Sequence, residues 1–313
     1  MRSLLLLLFF SANALALTQT ELAELAVPAA KGSREAIEKI ERAANEGEAE
    51  AQNLLGAMHA AGSGVVQSDT MAVDWFKRAA ASGHVNAQHN LAVIYERTSG
   101  TLRDPQEAIR WYKAAAEQGF ARSQAALAKI YLDGAETEVG RSWAEKAAAQ
   151  DEPLGQYLLG MLYLEGRGYQ KNGPRAVELI RRGAQGKNRE AQLAMALLHG
   201  NGHGVEKSDE LAIEWLRKAA AQALPQAEHY LGYVYAKGAY GVPQDQKESI
   251  RWTRQAALQG YADAEFSLGL AYAEGRGVDR DPQESLGWLQ RAARRGHAPA
   301  MEYVRRIQDR LAK

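Results

Sequence analysis

The chain has 313 residues, 46% of them apolar, enough for a sizeable core but too many for one ordinary compact domain unless the sequence repeats. Lys plus Arg and Asp plus Glu each number 38, so no excess positive field draws in nucleic acid or an acidic membrane, and partners must be recognised by local patches. With no cysteine, the chain has no disulfide scaffold, no thiol nucleophile and no thiolate metal site.

The first sixteen residues, MRSLLLLLFFSANALA, set a cation at Arg2 before an apolar run from Leu4 to Phe10, with small residues at Ala14 and Ala16. That is the pattern of a secretory leader, cleaved after Ala16 or, alternatively, Ala14, and the run is too short to span a bilayer. Export to the periplasm is therefore expected, with no membrane insertion after cleavage. Residues 17–50 read as a cap helix, started by a Thr18 to Glu21 capping box, and a half-repeat carrying Ala36, Ile37, Ala43 and Ala44. Pro28 and Gly32 are read as the break between them.

Residues 51–299 repeat. Rows begin at Ala51, Ala87, Ser123, Gly155, Ala191, Ala227 and Ala264, at offsets of 36, 36, 32, 36, 36 and 37, which marks an array and not a mosaic of domains. Each row predicts two helices. In the first, the opening residue, a Leu or Ala four later and a Tyr or His eight later share one face, as Leu268 and Tyr272 do in the seventh row. The second carries A-x-x-W-x-x-x-A-A, as in Ala72, Trp75, Ala79 and Ala80. Tryptophans 75, 111, 143, 215, 252 and 288 all occupy that slot, Leu179 replaces it in row four, and the rings are expected to fill the space between rows. Asp104, Asp245 and Asp281 read as N-caps, and Gly83, Gly119, Gly260 and Gly296 as left-handed helix ends. Residues 300–313 read as a capping helix whose Arg305, Arg306, Asp309 and Arg310 stop the stacking.

The seventh row, with Leu268, Gly269, Tyr272, Gly275, Gly277, Val278, Asp281 and Trp288, resembles the Sel-one-like repeat, a subgroup of the tetratricopeptide superfamily. The resemblance covers nearly all of the chain after the leader. It implies an all-α fold, a right-handed α-solenoid of helix-turn-helix repeats with a period of about 36 residues, that binds other proteins.

Signals for chemistry are weighed against that frame. Gly275 and Gly277 could cradle a phosphate ahead of a helix, but Gly62 with Gly64, Gly166 with Gly168 and Gly202 with Gly204 recur at the same phase, and a turn is the better reading. His199 and His203 are four apart, as two metal ligands would be, yet the glycines between them argue for a core imidazole beside a loop one. No Ser/His/Asp set forms a triad. Family members associated with β-lactam binding or hydrolysis are cysteine-rich, which this chain is not. No catalytic, cofactor-binding or metal-binding residue is nominated, and a non-catalytic protein is expected.

In superhelices of the resembled superfamily the first helix of each pair lines the concave side. There the third and seventh residues of a row point away from the core positions. Rows one to three carry Asn53 and Ala57, His89 and Val93, Ala125 and Lys129, which are mostly small or polar. Rows four to seven carry Tyr157 and Met161, Leu193 and Leu197, His229 and Tyr233, Phe266 and Leu270, an apolar stripe that is either an exposed partner-binding face or buried by tighter curvature. Glu165, Asp263, Glu274 and Glu302 are expected to form an acidic rim, and the short row three to change the pitch. The resemblance implies a protein partner held in the groove by a chain that is monomeric when free. The specific expectation is an immunity protein that neutralises a phospholipase effector of type VI secretion. The alternative is a periplasmic adaptor or regulator for envelope assembly or signalling, acting on a sensor kinase or on exopolysaccharide or flagellar machinery.

Overall fold

The computed structural model describes residues 17–98 and 100–311, so the expected leader over residues 1–16 lies outside the described residues. Seventeen α-helices and one 3-10 turn, Gly100–Leu102, make up the regular structure described, with no strand among those residues. The first two helices are α1 (Gln19–Ala30) and α2 (Arg34–Asn45). Seven pairs follow: α3 (Ala49–Ala61) with α4 (Asp69–Ala81), α5 (Val85–Arg97) with α6 (Pro105–Glu117), α7 (Ala121–Asp133) with α8 (Thr137–Ala149), and α9 (Pro153–Glu165) with α10 (Gly173–Gln185). The remaining pairs are α11 (Arg189–Asn201) with α12 (Asp209–Ala221), α13 (Pro225–Lys237) with α14 (Gln246–Leu258), and α15 (Ala262–Glu274) with α16 (Pro282–Arg294), and α17 (Ala298–Leu311) ends the series. The fold is an all-α solenoid of helix-turn-helix repeats. It divides into two compact units, one ending at Leu127 and the other beginning at Ala128.

Local chemistry sets the helix ends. Asp281 accepts hydrogen bonds from the amides of Gln283 at 2.9 Å and Glu284 at 3.0 Å, and Asp104 and Asp245 repeat the arrangement. The Thr18–Glu21 capping box closes in both directions, Thr18 N donating to Glu21 Oε2 at 2.7 Å and Glu21 N to Thr18 Oγ1 at 3.2 Å. Pro28 does not break α1 as the sequence reading expected. It sits in the last turn, where Ser33 N closes back onto the Pro28 carbonyl at 3.0 Å, and the chain turns only over residues 31–33. The Gly275–Gly277 pair is a helix exit: Gly275 is the left-handed C-cap of α15 at φ 74°, and a Cβ on Gly277 would meet the Gln246 carbonyl oxygen at 2.3 Å. This glycine pair is required by backbone geometry and close packing.

Small residues let the helices approach. Ala79, Ala115, Ala147, Ala219, Ala256 and Ala292 are fully buried. The tryptophans pack against the clusters between rows, Trp215 against those of both Val177 with Met195 and Ala196 with Leu231, but mostly from the edge. Only Trp75 is buried; the other five are half-buried, and cations from their own helices cover them, Lys218 over Trp215 at 4.3 Å and Arg291 over Trp288 at 4.5 Å. The deep position is the next residue, filled by Phe76, Tyr112, Ile180, Leu216 and Leu289.

A buried amide stands at the second position of rows one to five, as Gln52, Gln88, Gln124, Gln156 and Gln192. Gln88 Nε2 donates to the Ala80 carbonyl at 3.3 Å while Gln88 Oε1 accepts from Gln118 at 2.8 Å, so one side chain joins α4, α5 and the end of α6. Gln192 does the same with Ala184 at 3.2 Å and Gln222 at 2.9 Å, and Gln52 donates to Ala44 at 2.9 Å. Rows six and seven substitute carboxylates. Glu265, fully buried, is bound by Arg291 and Arg295, each at 3.3 Å, whereas among the described residues Glu228 accepts from Gln259 alone, at 2.6 Å.

Two stability predictions follow from this packing. Leu216→Ala should cost about 2–5 kcal/mol in urea unfolding, and Trp215→Ala should cost less because its ring is already partly solvated. Burial raises the Glu228 carboxyl above its ordinary value of 4.5, against the Gln259 hydrogen bond. The folded state thus holds this proton more tightly than the unfolded state, and its contribution to stability is lost as pH rises from 4.5 through the raised folded value. Glu228→Gln restores the donor found in the other rows. It should raise the Tm near neutral pH and flatten the acid-side slope, as thermal melts across that range will read.

Candidate protein-binding surface

In the second unit, α9, α11, α13 and α15 each present two of the expected stripe residues one turn apart. The two positions differ. The third residue of a row leans on the corner that opens the next row: the His229 ring lies 5.6 Å from Tyr261, the N-cap of α15, and the Phe266 ring 4.6 Å from His297, just before α17. Tyr157 and Leu193 are likewise half-buried, Tyr157 against the cluster of Val177, Ile180 and Met195, and Leu193 against that of Ala196 and Ile213. Burial raises the Tyr157 hydroxyl pKa, with Glu190 and Glu165 adding to it, and lowers that of His229 against the pull of Asp263, so the imidazole stays neutral.

The seventh residue is the freer one. Tyr233 is 50% exposed and Leu197 37%, whereas Met161 and Leu270 are half-buried. The Tyr233 ring is braced. It stacks on Tyr230 with centroids 5.8 Å apart and planes 12° apart, and the Tyr230 and Tyr240 hydroxyls are hydrogen-bonded at 2.8 Å. Tyr240 holds φ at 54°, a left-handed value rare for a side chain of its size, in the stretched turn after α13. Beside Tyr233, a cavity of about 200 Å³ opens between α13, α14 and α15.

The acidic rim does not form as a field of free carboxylates. Glu165 pairs with Arg167 at 3.6 Å, Asp263 with His297 at 3.3 Å, Glu274 with Arg276 at 2.6 Å, and Glu302 with Arg305 and Arg306. His199 turns Nδ1 to the Glu206 carbonyl at 3.1 Å, as His59 does to Val66 at 3.1 Å, so both brace the turn between paired helices. Among the described residues no three His, Asp or Glu side chains group to hold a metal. In the first unit the equivalent face is polar and tied down. His89 Nδ1 meets Ser123 Oγ at 2.9 Å and Asn90 donates to Asn53 at 3.0 Å.

Sequence reasoning missed Tyr230 and Tyr240, the junction amides, and Thr253. The last was visible by aligning rows: Thr253 stands where Leu216 and Leu289 stand in neighbouring rows.

The model of the Sel1 repeat family matches residues 49–84, 85–120, 121–152, 153–188, 189–224, 225–261 and 262–297. The chain belongs to the Sel1 repeat family. Each match begins two residues before the row as read from the sequence, including the short third one. A Sel1 repeat protein from Oxalobacter formigenes is similar over 92% of this chain and 87% of its own, at 29% identity and a TM-score of 0.58. The protein c5321 of uropathogenic Escherichia coli, a protective antigen with the same repeat fold, is similar at 27% identity and a TM-score of 0.54, over 92% of this chain and 71% of its own. The immunity protein Pa5087 of Pseudomonas aeruginosa matches at 19% identity and a TM-score of 0.37, over 79% of this chain and 81% of its own. The comparison with curated proteins gave no match. Sel1 repeats are scaffolds for protein–protein interaction, and the second unit's braced tyrosine lies on such a scaffold.

The third-position and seventh-position residues should therefore respond differently to charge. Phe266→Asp should lower the Tm by several degrees by burying a carboxylate against His297, whereas Leu197→Asp should leave it nearly unchanged; differential scanning fluorimetry compares them directly.

Proposed function

We propose that the chain is a non-catalytic periplasmic protein that binds a protein partner through the first-helix face of rows four to seven, with Tyr233 and Leu197 as the contact anchors. The observation that carries this reading is Tyr233: a half-exposed aromatic ring, held by Tyr230 and in turn by Tyr240. Such a ring adds apolar contact area with little conformational entropy left to lose, the property that makes aromatic anchors dominate interface energetics. Export is supported by the leader pattern over residues 1–16.

The finer reading is an immunity protein that covers and silences a phospholipase effector of type VI secretion, acting as a monomer when free. Inhibition of that kind needs only a rigid surface complementary to the rim of an active site, and a repeat scaffold with one braced apolar face provides it. Affinity capture from periplasm tests the binding, and co-production with a phospholipase encoded beside this chain tests the target. Wild type should retain a protein partner and protect cells from the lipase, and Leu197→Asp with Tyr233→Asp should lose both at unchanged helicity. Capture of a sensor kinase or a polymer-export component in its place would move the assignment to a regulatory adaptor. Turnover of a cell-wall substrate with no partner recovered would overturn the binding reading.

A further inference from the structure

Row six carries a smaller, polar side chain where its neighbours carry a leucine. The slot after the tryptophan holds the fully buried Leu216 in row five and Leu289 in row seven, but Thr253 in row six. Ser249 begins the A-x-x-W pattern here, as Ser285 does in row seven. The cavity of about 200 Å³ that both Ser249 and Thr253 line has the volume of several waters, room for one amino-acid side chain. Its lining combines the apolar Ile250 and Leu270 with the hydroxyl residues Ser249, Thr253 and Ser267, beside His229 and Gln246.

Its charge is of one sign. Lys237 and Arg276 line it, and no carboxylate does among its described lining residues. Arg276 already pairs with Glu274 at 2.6 Å, both about half exposed, but Lys237 makes no hydrogen bond or ion pair among the described residues. A free ammonium at the edge of a partly desolvated, hydroxyl-lined pocket is complementary to an anion. An internal Asp or Glu would satisfy the charge and leave the apolar lining empty. A chain terminus satisfies both, because its last residue carries an apolar side chain and a carboxylate within one residue's volume.

We infer that the cavity between α13, α14 and α15 receives the C-terminal residue of the protein partner, its apolar side chain on Ile250 and Leu270 and its carboxylate facing Lys237. This rests on reading the surrounding face as protein-binding, and it adds the chemistry that the pocket selects.

The test titrates three peptides into the full-length chain by NMR or calorimetry: acetyl-Gly-Gly-Leu as the free acid, the same peptide as its C-terminal amide, and acetyl-Gly-Asp-Gly-amide. The free acid should bind at least about tenfold more tightly than either blocked peptide, a difference of the size of one charge-assisted contact. Lys237→Gln, a surface change, should erase most of that preference. Thr253→Leu should abolish binding of the free acid with the Tm unchanged or higher, since leucine fills this slot in the rows on either side. Equal binding of acid and amide, no binding of the acid at tens of millimolar, or undiminished preference in Lys237→Gln overturns the assignment. Equally tight binding of the aspartyl peptide overturns the chain-terminus source and leaves a side-chain carboxylate as the ligand. If the peptides fail while wild type still captures a protein that Tyr233→Asp does not, only the pocket's occupant is wrong. If capture is indifferent to Tyr233→Asp, the binding face itself is wrong.

Discussion

A buried polar side chain at the second position of each row, an amide in rows one to five, constrains how these helices can stack. Alanine-rich faces slide easily, because small side chains interlock weakly and burial of apolar area is non-directional. The glutamine at the second position of a row removes that freedom: Gln88 and Gln192 each bond to a carbonyl at the end of the preceding row and to a glutamine at the end of their own. Both partners are fixed by helix geometry, so a register slip at the junction would strand a buried donor and acceptor, at about 1–3 kcal/mol each. Apolar packing supplies the stability of the array, and the amide supplies its register.

That division explains where the carboxylates in rows six and seven matter. A carboxylate at the same place has no proton to give when ionised, so the fold must meet it with donors. Around Glu265 two half-exposed arginines do so, reaching in from the surface to a buried carboxylate. Around Glu228, among the described residues, Gln259 alone donates, and burial holds the acid toward its protonated form, the form that resembles glutamine. Glu228 lies in the same row as the Thr253 cavity and the stretched, left-handed turn at Tyr240. Row six therefore departs from the repeat in its junction, its core and its turn together, and such departures from local consistency are expected at functional or strained places.

The repeat was legible in the sequence because its signals are local. Period, N-cap aspartates and closing glycines depend on a few neighbouring residues, and Asp104, Asp281 and the Gly275 exit all stand where spacing puts them. What was not legible depends on the angle between helices. Tryptophan is the bulkiest residue in its row and does pack against the clusters between rows, but the most deeply buried place falls on the next residue, and the outer face of the indole is covered by a lysine or arginine of its own helix. Pro28 misled for a related reason. A proline signals lost hydrogen bonding but not on which side of it the helix stops, and the last turn of α1 accommodates it.

The stripe was legible as a direction and not as a surface. A helical wheel places residues three and seven of a row on the same side, but it knows nothing of the corner that the next row turns beneath them. Tyr261 and His297 come up under the third position and leave His229 and Phe266 half-buried, while the seventh, one turn further from that corner, keeps its exposure at Leu197 and Tyr233. The acidic rim failed by the same omission: a carboxylate counted along the sequence is a charge, but with Arg276 at 2.6 Å from Glu274 it is half of a pair. Once those pairs are formed, Arg276 is matched by Glu274, and Lys237 is left as the lining cation with no hydrogen bond or ion pair among the described residues. A face that combines one braced aromatic ring, one leucine and one cation with room behind it is small by the standard of protein interfaces. Its selectivity would have to come from filling that room, since the flat contact around it discriminates little between partners of similar polarity.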